Sequence, residues 1–388
     1  MAVSEGRPEG GNMTMEDTTR VAEAESAQTS EEKTGALVER LFGAALGAVD
    51  VVSVYLGDRL GLYRMLAEAG PLTSSELASQ SNIDERYARE WLEQQAVTGI
   101  LDVDDAGKPA GDRRYMLPPA HAQALIDLDS MYSISPLARS FVAVVQALPQ
   151  VMKAFSTGGG VQWSAFGPDM IESQGDFNRP WLLNLLGTEY LPSIPDLHQR
   201  LQADPPARVA DVACGVGWAS IAIARAYPKV TVDGFDPDDY SIEIARRLAT
   251  EAGVDDRVRF QVRDGATIGT EGPYDLAIVI ESIHDLSRPV EVLEGIRHSL
   301  APEGTLVVAD ENVSESFTAP GNEVDRLMYG FSFLVCLPSG LSERPSAATG
   351  TVLRPETFRR YASAAGFSKV DILDHIQHDF LRFYRLAP

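Results

Sequence analysis

Val209-Ala-Asp-Val-Ala-Cys-Gly-Val-Gly-Trp218 is the stretch on which the fold turns. Its first half is apolar at nearly every position, as in a strand covered on both faces. Glycines follow at 215 and 217, where the backbone can approach a ligand with no Cβ in the way. Residues 218–227 then predict a helix, whose first turn leaves N–H groups free to face that ligand. Strand, glycine turn and helix in this order open a βαβ unit.

The same rhythm continues downstream. Residues 230–235, 258–262, 274–280 and 305–309 predict strands, and 240–252 and 290–300 predict helices. Ile242, Ala245, Leu248 and Ala249 mark the buried face of the first helix, and Val290, Leu293, Ile296 and Leu300 that of the second. This alternation means an α/β fold with a doubly wound, mostly parallel sheet. After a long interruption at 312–351 come a helix at 355–365 and strands at 369–373 and 380–386. Two strands joined by so short a turn must pair antiparallel, an ending that the usual dinucleotide-binding sheet lacks.

The first half reads differently. Residues 1–31 are polar and acidic and predict a disordered tail. Leu37, Leu41, Ala44, Ala45, Ala48, Val52 and Tyr55 then recur at helical spacing, with Gly43 and Gly47 allowing close helix approach, either within the chain or in a homodimer. Thr73 with Glu76 forms a capping box, and Asp84 caps a second helix with Tyr87, Ala88, Trp91 and Leu92 on its apolar face. Two short strands at 100–103 and 114–117 follow, so residues 32–125 predict a mainly helical, winged-helix-like or dimerisation domain. Residues 126–200 predict a helical linker, broken at Gly158-Gly-Gly160. Its Trp163, Phe166, Phe177, Trp181 and Tyr190 are candidates to roof a substrate pocket. Residues 201–388 form the α/β domain.

Composition excludes several partners. A formal net charge of −23 disfavours nucleic acid and anionic membrane, because phosphate binding needs a basic surface. The second helix of the winged module sets Asp84, Glu85, Glu90 and Glu93 against Arg86 and Arg89, where a major-groove reader needs basic and amide side chains. The longest apolar stretch, 41–56, is broken by Asp50 and too short to span a bilayer. Two cysteines, Cys214 and Cys336, fit a reducing compartment, and the expected location is the cytoplasm. His375 and His378 lack further ligands nearby and read as a surface turn, so no metal is expected.

Three carboxylates mark the ligand. Asp211 stands beside the glycine loop, which is unhelpful for a pyrophosphate and helpful for an ammonium group. Asp236 ends the second strand, 19 residues after Gly217, where a carboxylate can accept both ribose hydroxyls. Asp264 ends the third strand, before Gly265-Ala266, where it can accept from an adenine amino group. Ser220 replaces the third glycine of the dinucleotide fingerprint. Together the three suit a ligand with an adenosine part and a cationic amino-acid part.

On these residues, 205–311 resembles class I S-adenosylmethionine-dependent methyltransferases, and the ending at 367–387 resembles their seven-stranded Rossmann-like sheet. Ala213 stands where that family often has a first glycine. Gly158-Gly-Gly-Val-Gln-Trp163, Thr349-Gly-Thr-Val352 and Arg354-Pro355 resemble recurring segments of a bacterial family that joins a winged-helix domain to this domain, some of whose members are labelled transcriptional regulators. The resemblance implies S-adenosyl-L-methionine as cofactor, held by Asp211, Ala213, Gly215, Gly217, Asp236, Pro237, Asp264, Gly265, Ala266 and Glu281. It also implies a small-molecule methyl acceptor.

Methyl transfer mainly requires alignment and exclusion of water, and an oxygen acceptor gains from a base. His284, in Glu281-Ser-Ile-His-Asp285, is the candidate base. Its His-Asp pair resembles that of plant-type O-methyltransferases, although the tryptophan and paired acids of that motif are not found around it. Met328, Tyr329, Phe331, Phe333 and Leu334 of the insertion are candidates to line the acceptor pocket, which points to an apolar or aromatic acceptor; the expected reaction is O-methylation. The alternatives are a regulator that binds the cofactor or an effector without turnover, and a nicotinamide-linked oxidoreductase.

Overall fold

The computed structural model describes residues 29–388, so most of the predicted tail lies outside the described residues. Packing divides the chain into a unit ending at Val52 and a unit of Ser53–Pro388. The first helix, α1 (Ser30–Arg59), runs across that boundary. Within the first unit, Leu37, Leu41 and Phe42 are about half exposed or more, and Gly43 and Gly47 are exposed too. An apolar helix face without cover is the kind of surface that marks an interaction site.

In the second unit, α2 (Leu62–Ala69), α3 (Ser74–Ser81) and α4 (Glu85–Val97) precede an antiparallel pair, β1 (Asp102–Val103) and β2 (Tyr115–Met116). The starts of α3 and α4 follow from their caps. Thr73 and Glu76 form the expected capping box, and the Asp84 carboxylate accepts from the amides of Arg86 and Tyr87. Leu62, Tyr63, Leu66, Leu77, Trp91 and Leu92 share one small core with Tyr115. Tyr87, expected on the apolar face of α4, is 79% exposed, and Gln95 is buried there instead, with its Oε1 accepting from Tyr63 Oη. Arg89 pairs with Glu85 and Arg86 with Glu90 along α4, so both cations of that helix are already compensated.

Four helices follow, the second the longest: α5 (Pro119–Leu125), α6 (Ser135–Thr157), α7 (Gly167–Trp181) and α8 (Pro195–Gln202). After α7 the backbone widens into a π-helical run, Leu182–Tyr190. The sheet then forms from β3 (Arg208–Val212), β4 (Thr231–Asp236), β5 (Val258–Val262), β6 (Tyr274–Ile280), β7 (Leu300–Glu311), β8 (Lys369–Ile372) and β9 (Leu381–Ala387). Its order is β5-β4-β3-β6-β7-β9-β8. The five strands β3 to β7 are parallel, and β9 runs antiparallel to both β7 and β8.

Strand periodicity makes the two layers. Val209, Leu276, Ile278 and Val307 face one core, built with α8, α9 (Trp218–Ala226), α10 (Asp239–Glu251) and the π-helical run. Ala210, Val212, Ala277 and Val308 face the other, built with α11 (Pro289–Ser299) and α14 (Pro355–Ala364). Covered on both faces, the central strands carry apolar residues at consecutive positions. The insertion between β7 and α14 contains α12 (Glu323–Phe331), a second π-helical stretch at Ser332–Cys336 and a short α13 (Leu337–Gly340). A Cβ on Gly160 would come within 2.2 Å of the Ser342 nitrogen, and the Val161 amide donates to Pro338 O, so the glycine break at 158–160 docks this insertion.

Candidate active site

The carboxyl ends of β3, β4, β6 and β7 open into one cavity of about 570 Å³. After β3 the chain turns through Ala213 (φ 56°), Gly215 (φ 50°) and Gly217 (φ 85°). At Gly217 a Cβ would lie 2.5 Å from Phe260, so glycine is needed for packing as well as for its left-handed backbone. At Gly215 a Cβ would meet no atom within 4 Å and would project into open space.

Asp211 is 2% exposed. Its Oδ2 accepts from the Ser220 amide (3.0 Å) and hydroxyl (2.7 Å). The serine that breaks the dinucleotide fingerprint therefore ties strand β3 to the first turn of α9. Asp236 Oδ2 accepts from the Gly215 amide and its Oδ1 from the Asp238 amide, both at 2.9 Å. Burial pushes both carboxyls up to about 6. Asp264 caps the short 3-10 turn at Gly265–Thr270 through the Ala266 amide (2.9 Å) and pairs with Arg288 at 2.8 Å. Asp211, Ala213, Gly215, Gly217, Asp236, Pro237 and Asp264 all line the cavity. Gly265 and Ala266 sit behind Asp264, and a Cβ on Gly265 would meet Val212 at 2.7 Å.

His284 and Glu281 reach the same cavity. His284 is 3% exposed, and its Nδ1–H donates to Asp310 Oδ1 at 2.8 Å. Burial opposes the imidazolium, but the Asp310 carboxylate outweighs it and, with a contribution from Cys336, raises His284 well above its ordinary range. Glu281, at φ 48°, accepts from Gln174 Nε2 (2.7 Å) and Asn178 Nδ2, while the Trp181 indole donates to Asn178 Oδ1 at 2.7 Å. Burial pushes Asp285 up to about 7 and Glu281 and Glu311 upward as well.

Sequence reasoning missed Gln174, Asn178, Asp310, Glu311 and Cys336. The acid that His284 bonds, Asp310, comes from the end of β7, 26 residues on, not from its sequence neighbours. The visible signal was Asp310-Glu311 closing an otherwise apolar strand. Of the pocket aromatics, Trp163, Phe177, Met328 and Phe331 line the cavity. Phe166, Trp181 and Tyr190 belong to the core, while Tyr329 and Phe333 are partly exposed. Leu334 faces a second, apolar cavity. His375 bonds Ser193 Oγ, and His378 packs edge-on against Trp181. Among the described residues, no group of His, Cys, Asp or Glu has a metal-holding arrangement, and no helix is long and apolar enough to cross a membrane.

Residues 203–336 match the family model described as a methyltransferase domain, and residues 47–126 that of an Rv2258c-like winged helix-turn-helix domain. The chain carries a methyltransferase domain. Trans-aconitate 2-methyltransferase of Streptomyces coelicolor is 28% identical over 179 residues, 46% of this chain and 55% of that protein. Ubiquinone biosynthesis O-methyltransferase of Xylella fastidiosa is 31% identical over 106 residues, 27% of this chain and 42% of that protein. The chain spans about half the length of the curated relatives it matches. Among solved structures, human N-acetylserotonin methyltransferase in complex with SAM superimposes with a TM-score of 0.67 at 17% identity, over 93% of this chain and 99% of that one. Mitomycin 7-O-methyltransferase does so with 0.62 at 19%, over 92% and 99%. The fold of the methyltransferase domain is thus the class I fold, joined to an N-terminal winged-helix domain.

Proposed function

We propose that this chain transfers a methyl group from S-adenosyl-L-methionine to an oxygen of a small, apolar or aromatic acceptor. One observation carries the reading: a single cavity joins the glycine turn and Asp236 to the buried His284–Asp310 pair. The donor set fits the cofactor. Open space beyond Gly215 leaves room for its amino-acid part. Asp236, held by two backbone amides, keeps lone pairs for ribose hydroxyls. Asp264 and the backbone at 265–266 would border the adenine. When bound, the cofactor supplies an activated sulfonium methyl. His284, fixed through Nδ1 by Asp310, would take the acceptor's proton at its other nitrogen. Phe177, Met328 and Phe331 would exclude water and hold the acceptor's apolar body.

Within this proposal, residues 32–125 serve packing or dimerisation, 126–200 roof the pocket and 201–388 carry the chemistry. The exposed apolar face of α1 supports a homodimer, and two free cysteines support the cytoplasm. The compensated arginines of α4 argue against a DNA-binding regulator. Calorimetry with S-adenosylhomocysteine tests the site: binding is expected, and Asp236→Ala should abolish it. Tighter binding of NAD than of S-adenosylhomocysteine would sink the reading. Labelled-methyl transfer to a panel of small phenols and alcohols tests the activity.

A further inference from the structure

The sheet edge holds more acid than proton removal by His284 requires. Asp310 Oδ1 is matched to His284, and Glu281 to Gln174 and Asn178; Asp310 Oδ2 also has no hydrogen-bond partner among the described residues, but Asp310 does not line the cavity. Glu311 differs. It is 6% exposed, lines the cavity, and its Oε2 has no hydrogen-bond partner among the described residues. A buried acceptor left without a donor is costly. A second carboxyl acts on it: Glu281, just past the end of β6, lines the same cavity and is the charged group that bears most strongly on Glu311. The charged groups acting on Glu311 are Glu281, Asp310 and Asp285, with His284 the cation opposing them. Four carboxyls stand against one imidazole, and burial disfavours the charged forms of Glu281, Asp285 and Glu311, so a cation entering beside Glu311 is what would keep it ionised; Phe177, Met328 and Phe331 are among the residues lining the same cavity.

We propose that Glu311, with Glu281 beside it, anchors a cationic nitrogen of the acceptor, so that the substrate is an aromatic or apolar molecule bearing both a protonated amine and the hydroxyl that is methylated. This rests on the methyltransferase reading above and narrows its substrate class. An ammonium donates charge-assisted hydrogen bonds to the orphaned oxygen and favours the ionised carboxyl. A neutral alcohol would supply only the first. Aromatic rings around the site suit the remainder of such a molecule and also favour a cation nearby. Among the described residues the acids are not grouped as a metal ion needs, so the occupant is an organic cation.

The test is calorimetry on the full chain saturated with S-adenosylhomocysteine, using phenethylamine, 2-phenylethanol and phenylacetate as probes. Phenethylamine should bind about tenfold or more tighter than the alcohol, with phenylacetate weakest. Glu311→Gln should erase that preference, weakening phenethylamine about tenfold while S-adenosylhomocysteine binds within about threefold of the parent. If the glutamine variant cannot hold S-adenosylhomocysteine, Glu311→Asp replaces it, and a loss of about fivefold for the amine is expected. Equal or tighter binding of the alcohol by the parent, or an unchanged amine affinity in the variant, overturns the proposal. So does a variant that loses S-adenosylmethionine but not S-adenosylhomocysteine without any amine preference in the parent, since the carboxyl would then serve the sulfonium. No binding of S-adenosylhomocysteine to the parent would remove the underlying reading, and the inference with it.

Discussion

At the residue scale, the chemistry depends on His284 being held rather than merely present. Replacing it with alanine should lower kcat by roughly 100- to 10,000-fold, with S-adenosylhomocysteine affinity unchanged in the same preparation. Because Asp310 holds the imidazole above its ordinary pKa, the neutral base form grows only as pH rises past neutrality. The rate with an oxygen acceptor should therefore climb on the alkaline side, and a pH–rate profile of His284→Ala should lack that limb. Asp211 predicts a pH effect of the opposite kind, on stability. Its folded pKa of about 6 lies above that of the unfolded chain, so its ionisation destabilises the fold, by on the order of 2–3 kcal/mol once complete. That cost is absent below the unfolded value, near 4, and fully present above about 6. Thermal melts should show Asp211→Asn gaining on the parent as pH rises through this window. The sequence made His284, Asp211 and Asp236 legible because each adjoins a strand end. Asp310 was not tied to His284, since only the β6–β7 register brings them together.

At the element scale, turns and caps were the most readable features. Thr73, Glu76, Asp84 and the glycines at 215 and 217 act within a few residues of themselves, so local chemistry suffices to place them. Thr73→Ala should cost about 1 kcal/mol, seen as a lower urea midpoint at unchanged slope. Gly217→Ala should be worse: its Cβ would strike Phe260 from a left-handed backbone, lowering Tm and weakening S-adenosylhomocysteine together. The π-helical runs at Leu182–Tyr190 and Ser332–Cys336 were not legible. Their side chains show ordinary helical spacing, and the widened turns, from which Leu182, Val335 and Cys336 line the cavity, leave no mark in that spacing. Tyr87 failed for a related reason: periodicity assigns a face, but tertiary packing decided that Gln95 would fill it.

At the scale of the whole molecule, alternating strands and helices plus the antiparallel ending were enough to specify the architecture. The pocket walls were harder, because Trp163 and Phe331 lie far apart in sequence yet line one cavity. Oligomeric state belongs to this scale too. Phe42→Asp on the exposed face of α1 should shift the chain to a monomer in sedimentation velocity; a parent that already sediments as a monomer would remove the dimer from the proposal.

The placement of β9 has a consequence for synthesis. This late segment is inserted between β7 and β8 rather than added at a margin. On the ribosome, β7 must therefore wait with an unpaired border until residues 381–387 emerge, and β8 has nothing to zip against before then. A nascent chain stalled or cut short before Leu381 would keep that border open, a template for association with other copies. Folding of this domain is thus completed after translation of its last strand, and premature termination there should yield insoluble protein rather than a slightly shorter enzyme.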